Sequence, residues 1–360
     1  MKFPVACLPL AFLCFPPASL LAQDGPGIGV VFLYTSNPAA AYSGTSNGNG
    51  AFTFTGVNVS PGFDTIRLGD FNGDRLADVV LYSSATGSAY SGLGSGTPSG
   101  GNNGSYTFSS LFWSANYNFV VSGDLNGDRR TDVVLYNSST GTMYACLANS
   151  SGQFPPCTYN YVSTGYTKAL VADFNGDGKA DILLYRASDA WCWLGLSNGD
   201  GTFTFQRVTS LPAGLDTATT GDLNGDGMMD ALFYSSVGGT MVSAMSTGTN
   251  LTATTQQMSS GYSSLVLFDC NGDGKADVLL YDKLQQATTK MGTGRGDGTF
   301  SLSTLSMSAG YDNVFAMDAN NDGFEDLVMY NSTSGSQATG LSNGTGGFNF
   351  TSPVNWGSEE

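Results

Sequence analysis

Short apolar runs rich in Val, Leu, Ile and Tyr recur along this chain between longer stretches of Gly, Ser, Thr, Asn and Asp. Seven of them end in Tyr preceded by Leu, Phe or Met, at Tyr34, Tyr82, Tyr136, Tyr185, Tyr234, Tyr281 and Tyr330. Runs of this length, bounded by turn formers, read as strands, and no stretch carries the 3.6-residue periodicity of a useful amphipathic helix. A polar turn follows each run, such as NSSTGT from Asn137 or NSTSGS from Asn331. A third strand comes next, then a Gly turn such as SNGDGTFTF from Ser197, whose Phe-Thr-Phe supplies a fourth. Period-2 alternation with β-branched and aromatic enrichment predicts an all-β chain.

Six of the seven runs are preceded by one acidic pattern, opening at Asp70, Asp124, Asp173, Asp222, Asp269 and Asp318. The starts lie 54, 49, 49, 47 and 49 residues apart, which marks an array of similar units. Asp, Asn and Asp hold loop positions 1, 3 and 5, and a further Asp holds position 9. The candidate ligand sets are Asp70, Asn72, Asp74, Leu76, Asp78; Asp124, Asn126, Asp128, Arg130, Asp132; and Asp173, Asn175, Asp177, Lys179, Asp181. The other three are Asp222, Asn224, Asp226, Met228, Asp230; Asp269, Asn271, Asp273, Lys275, Asp277; and Asp318, Asn320, Asp322, Phe324, Asp326. Alternate residues of a curled loop point oxygens at one centre, as a hard cation seeking six to eight oxygens requires. Position 7 shares no side-chain type, which suits a backbone carbonyl ligand. Position 4 is Gly, or αL-tolerant Asn321 in the last copy. A helical calcium loop would need Glu at position 12; here that place falls inside the apolar run, so the loop opens a strand. The expectation is up to six structural Ca2+ ions. Position 6 is Gly in the last four copies but Arg75 and Arg129 in the first two, so those two sites are expected to bind weakest.

The charge agrees with this. Of 29 acidic residues, 18 stand at loop positions, and the other 11 nearly balance the 13 Lys and Arg within the net −16. The acidity is therefore ligand charge. No basic patch, RNA motif or phosphate-cradling Gly loop is present, so no nucleic-acid partner is expected.

Four short strands in a repeat of this period predict a seven-bladed β-propeller of four-stranded antiparallel blades, with the acidic loops on one face. The first blade, GIGVVFLY from Gly27, is degenerate: it lacks the loop and any clear inner strand before it. Six blades plus a partial flap is the alternative. The units resemble FG-GAP/VCBS repeats, as in the integrin α-subunit propeller and propeller lectins, over residues 27–352. The resemblance implies calcium loops between first and second strands, with ligands on the opposite face or in clefts between blades. One departure is that Leu-Tyr-Asn/Ser stands where that family carries Gly-Ala-Pro.

Residues 1–22 read as a secretory signal, with Lys2, an apolar core over Val5–Phe15 and Leu20-Leu21-Ala22 at the cleavage site. The propeller then occupies 23–360, secreted or extracellular, and no later segment is expected to insert in a membrane. In that compartment Cys146 and Cys157, flanking a hairpin turn, are expected to form a disulfide, and Cys192 and Cys270 to be buried hydrophobes.

A Gly-aromatic element recurs before the inner strands, with Tyr117 and Leu215 as degenerate copies. Phe63, Asp64, Tyr117, Tyr166, Tyr262, Tyr311 and Asp312 are its candidate ligand-binding residues, with packing between blades as the competing role. Arg295-Gly296-Asp297 spells an adhesion tripeptide, but its turn repeats the one around Asp200.

The chain has no histidine, which excludes Ser-His-Asp and Cys-His catalysis and His-ligated zinc. No enzyme is expected; a carboxylate-dependent glycosidase or lyase is the remaining catalytic option. With 17 Tyr and only 12% charged residues, the surface fits a carbohydrate-binding, lectin-like module. The alternative is a protein-binding adhesion or scaffold module, so the expected partners are glycans or cell-surface and extracellular proteins.

Overall fold

In the computed structural model the described residues are 11–14, 30–36, 39–97, 101–283, 288–308, 310–311, 313–331 and 334–355. They form seven antiparallel sheets and no helix. Each sheet is one blade, with strands in sequence order from the axis outward. Blade two is typical: its strands are Thr65–Gly69, Asp78–Tyr82, Ser88–Thr97 and Gly101–Phe112.

The innermost strands touch in sequence round the axis, and the first blade's touches the seventh's, so the ring closes. That first inner strand is Ala11–Cys14, antiparallel to Val30–Ser36 with Ala11 opposite Tyr34. The sequence reading gave blade one no inner strand, because this stretch lies inside the segment assigned to the export signal. Ala-Phe-Leu-Cys has the apolar character of a signal core and of a buried strand alike. The rest of residues 1–22 lies outside the described residues. At the other end Val354–Asn355 pairs with Ser336–Ser342, extending blade seven.

Seven apolar clusters fill the seven interfaces. Val31, Leu33 and Phe52 of blade one meet Met317, Val328 and Tyr330 of blade seven much as Leu125, Val134 and Tyr136 of blade three meet Ala169, Ile182 and Leu184 of blade four. The second strands, Asp78–Tyr82 and its counterparts, are buried at every position from the Asp to the Tyr because each lies between two neighbouring blades. Alternation therefore fails there, as it does for any strand covered on both sides.

Candidate functional site

Each acidic loop is curled by its own carboxylates. Asp70 Oδ1 accepts the N–H groups of Gly73 at 2.7 Å and Asp74 at 3.1 Å, and Oδ2 accepts Arg75 N–H at 2.8 Å. Asn72 Oδ1 accepts Asp74 N–H at 2.9 Å, and Asp74 Oδ1 accepts Leu76 N–H at 2.8 Å. The curl needs positive φ at positions 4 and 6. Gly73 and Gly127 supply it at 84° and 77°, and Asn321 at 61°. Arg75 and Arg129 are held at 69° and 67°, where the later copies place Gly. An L-residue in that region costs roughly 1 kcal/mol.

Position 9 does a second job that sequence reasoning missed. Asp78 is fully buried; its Oδ2 accepts Phe71 N–H at 2.9 Å and its Oδ1 accepts Gly94 N–H at 2.8 Å. One carboxylate thus joins the start of its loop to the third strand. The same pair of bonds recurs at Asp132, Asp181, Asp230, Asp277 and Asp326. No side chain signalled it: the second donor is a backbone N–H 16 or 17 residues beyond each position-9 Asp. Burial pushes Asp78, Asp132 and Asp181 up to about 7 and Asp230 and Asp326 to about 6. The amide bonds pull these groups down, and the carboxylates at positions 1 and 5 push them up again.

At position 7, Arg130 reaches back to Asp128, Lys179 Nζ to Asp177 Oδ2 at 2.6 Å, and Lys275 Nζ to Asp273 Oδ2 at 3.4 Å. Leu76, Met228 and Phe324 bring no such charge. The donor set fits calcium in kind: three carboxylates and an amide oxygen per loop, with no sulfur or imidazole. Except at Asp277, whose Oδ2 also accepts the Cys270 thiol, each position-9 oxygen accepts one amide and keeps a second lone pair for a cation. Among the described residues the carboxylates face these amides, and no group of three His, Cys, Asp or Glu converges as a metal cage.

Phenol ties recur on the opposite face. Tyr34 Oη donates to the Ser60 carbonyl at 3.1 Å and accepts Phe63 N–H at 3.2 Å. Tyr82, Tyr185 and Tyr234 repeat this with Tyr117, Leu215 and Tyr262. The rings of Phe63, Tyr117, Tyr166, Tyr262 and Tyr311 are only 2–7% exposed and pack between blades. Buried this far, the recurring aromatic serves the interface, and Tyr311 also borders a cleft with Met329 and Phe350. Asp64 accepts Ser84 N–H at 3.0 Å and the Ser84 hydroxyl at 2.5 Å; Asp216 holds Ser236 in the same way. These carboxylates clasp turns. Asp312 lies outside the described residues. Asp297 Oδ1 accepts the N–H and hydroxyl of Thr299 as Asp200 Oδ1 does those of Thr202, so the Arg-Gly-Asp turn is a repeat of its neighbour.

Cys146 and Cys157 form the expected disulfide. Cys192 and Cys270 are buried free thiols; burial pushes Cys192 up to about 12, and the Cys270 thiol donates to Asp277 Oδ2 at 2.8 Å.

With fold and loops in place, the comparisons become specific. FG-GAP-like repeats match residues 70–135, 124–184, 173–233 and 269–329, more than half of the chain. The chain belongs to the FG-GAP-like repeat family. No curated protein matches its sequence. Among solved structures, an Agrocybe aegerita lectin that recognises non-reducing terminal N-acetylglucosamine superposes with TM-score 0.68 at 16% identity, over 94% of this chain and 93% of the lectin. A candidate 6-phosphogluconolactonase of Bacteroides uniformis gives 0.60 at 15% identity, over 88% and 92%. A second from Bacteroides fragilis gives 0.59 at 11%, over 88% and 90%. At these identities the likeness is one of fold, and the fold spans a lectin and candidate enzymes.

Proposed function

We propose that this FG-GAP-like repeat protein is a secreted, calcium-stabilised, non-catalytic propeller whose turn face binds glycans. The observation that carries the ligand class is a cleft of about 620 Å³ between blades two and three, lined by Ser84, Asn116, Asn118, Asn137, Ser139 and Thr140 among others. Uncharged amides and hydroxyls match the donors and acceptors of sugar hydroxyls, and the lining holds no carboxylate to act as acid or base. Asn116 is the telling residue. Its repeat position is Gly62, Gly165, Gly214, Gly261 and Gly310 elsewhere, all at positive φ, and Asn116 holds φ of 74° with a side chain in place. A strained non-glycine residue at a cleft points to a role for its side chain. The lectin of the same fold supports the reading. The calcium part rests on the donor chemistry of the six loops and on family membership. Bound there, the ion would supply positive charge to carboxylates that are otherwise crowded and buried.

The test is a glycan-array screen with wild type and Asn116→Gly. The glycine backbone already suits that φ, so the variant keeps its melting temperature while at least tenfold of the glycan affinity is lost. Equal binding by both proteins would remove the cleft from consideration.

A protein partner is the second reading, favoured by apolar side chains on the same face: Phe112 is 98% exposed, Val237 87% and Tyr161 70%. A blank array from folded protein, with binding to an extracellular protein abolished by Phe112→Ser, would establish it instead. No described helix is long and apolar enough to cross a membrane.

A further inference from the structure

Successive acidic loops touch, and they touch through their ligand positions. The N–H at position 8 of each loop donates to the carbonyl at position 1 of the loop before it. Thr131 donates to Asp70 at 2.7 Å, Ala180 to Asp124 at 2.6 Å and Met229 to Asp173 at 2.8 Å. Ala276 donates to Asp222 at 2.6 Å and Glu325 to Asp269 at 3.2 Å. Position 8 lies between the expected ligands at 7 and 9, and position 1 is itself a ligand. The side chain at position 7 also covers the glycine at position 4 of the preceding loop. A Cβ on Gly127 would stand 3.4 Å from Lys179 Cγ, on Gly176 3.2 Å from Met228 Cγ, and on Gly272 2.8 Å from Phe324 Cε1.

We propose that the six loops form one open chain of coupled sites, in which a cation ordering one loop raises the cation affinity of the loops on either side. This rests on the calcium reading above. A cation that draws in the position-1 carboxylate fixes that residue's backbone, and with it the amide at position 8 of the next loop. The neighbouring ligands at 7 and 9 are then held in part before their own ion arrives. Ordering cost met once is not met again, which is positive coupling between nearest neighbours. The chain has two ends. Blade one carries no acidic loop in its sequence, so no further site of this pattern stands before Asp70 or after Asp318. At the far end Ser46 Oγ bonds to the Ala319 carbonyl at 2.6 Å, and Asn321 fills the place where the other loops need a bare glycine.

The experiment is a calcium titration of the full chain followed by the NMR amide resonances of Gly73, Gly127, Gly176, Gly225, Gly272 and Gly323, one in each loop. It is repeated with Asp222→Ala and with the milder Asp222→Asn. The midpoints at Gly176 and Gly272, in the two flanking loops, should rise about fivefold or more, a typical coupling. Those at Gly73 and Gly323 should move by less than about twofold. Flanking midpoints that stay with the distant ones would overturn the coupling while leaving the calcium sites intact, and an equal rise at all loops would show global loosening instead. Glycine resonances that never move with calcium in the wild type would overturn the calcium reading, and the coupling with it.

Discussion

The two faces of this propeller repeat with equal regularity and differ in what the repetition is for. On the loop face six of the seven blades present three aspartates; on the turn face most present an aromatic ring and a polar clasp. Both patterns are visible as periodic residues, yet only the first is costly to leave alone. Position-9 carboxylates such as Asp181 are fully buried, next to two more carboxylates of the same loop. On the turn face the buried groups, Asp282 apart, are neutral: a phenol giving one hydrogen bond and taking another, as Tyr234 does with Ser259 and Tyr262. A periodic residue whose burial is complete without a partner is architecture. One whose burial leaves charge uncompensated points to something that must be added.

The sharpest way to break the comparison is to withdraw calcium. With each site at ten- to hundredfold above its Kd, calcium would contribute about 1.4–2.7 kcal/mol per loop. A chelator should then lower the melting temperature by about 10 °C or more, followed by circular dichroism. A shift of a few degrees or less would put the loop face in the same architectural class as the turn face.

Asp181→Ala comes next. It strands the buried N–H groups of Phe174 and Ser197, at about 1–3 kcal/mol each, so denaturant titration should show a loss of roughly 2–6 kcal/mol. The hydrogen-bond part of the loss should persist in chelator, and in calcium the variant should lose the cation's contribution at that loop as well. Tyr234→Phe is its counterpart on the other face and should cost about 1–2 kcal/mol, unchanged by calcium. Calcium sensitivity is thus the quantity that separates the faces. If Tyr234→Phe lost more in calcium than in chelator, the division between them would be wrong.

Much of this was legible beforehand for a physical reason. Leu-Tyr strands and acidic loops are local patterns, and a period near 49 residues leaves few architectures that stack them. The disulfide was legible because both cysteines lie within one hairpin. Three things were not. The inner strand Ala11–Cys14 is hidden because an apolar run shows no address of its own. The role of Phe63, Tyr117, Tyr166, Tyr262 and Tyr311 depended on whether the ring faces solvent or the next blade, which is tertiary information. The double duty of the position-9 aspartates depended on donors 16 or 17 residues away that share only a backbone N–H, and a backbone N–H leaves no mark in a sequence.

The smallest effect tests why the sixth loop breaks the glycine rule. Gly272 and Asn321 hold position 4 of successive loops at φ of 73° and 61°, so both sit in the left-handed region. Conformation alone would let Asn stand at either place. What differs is the neighbour: Gly272 faces Phe324 of the following loop, with 2.8 Å left for a Cβ, whereas the Asn321 loop has no acidic loop after it. Asn321→Gly should therefore change stability by no more than about 1 kcal/mol, since it only relieves αL strain. Gly272→Asn should cost about 1–3 kcal/mol, as overpacking does, because Phe324 must give way. Paired denaturant titrations of the two variants measure the difference. Equal, small effects would mean that backbone conformation alone places these glycines and that close contact between loops does not.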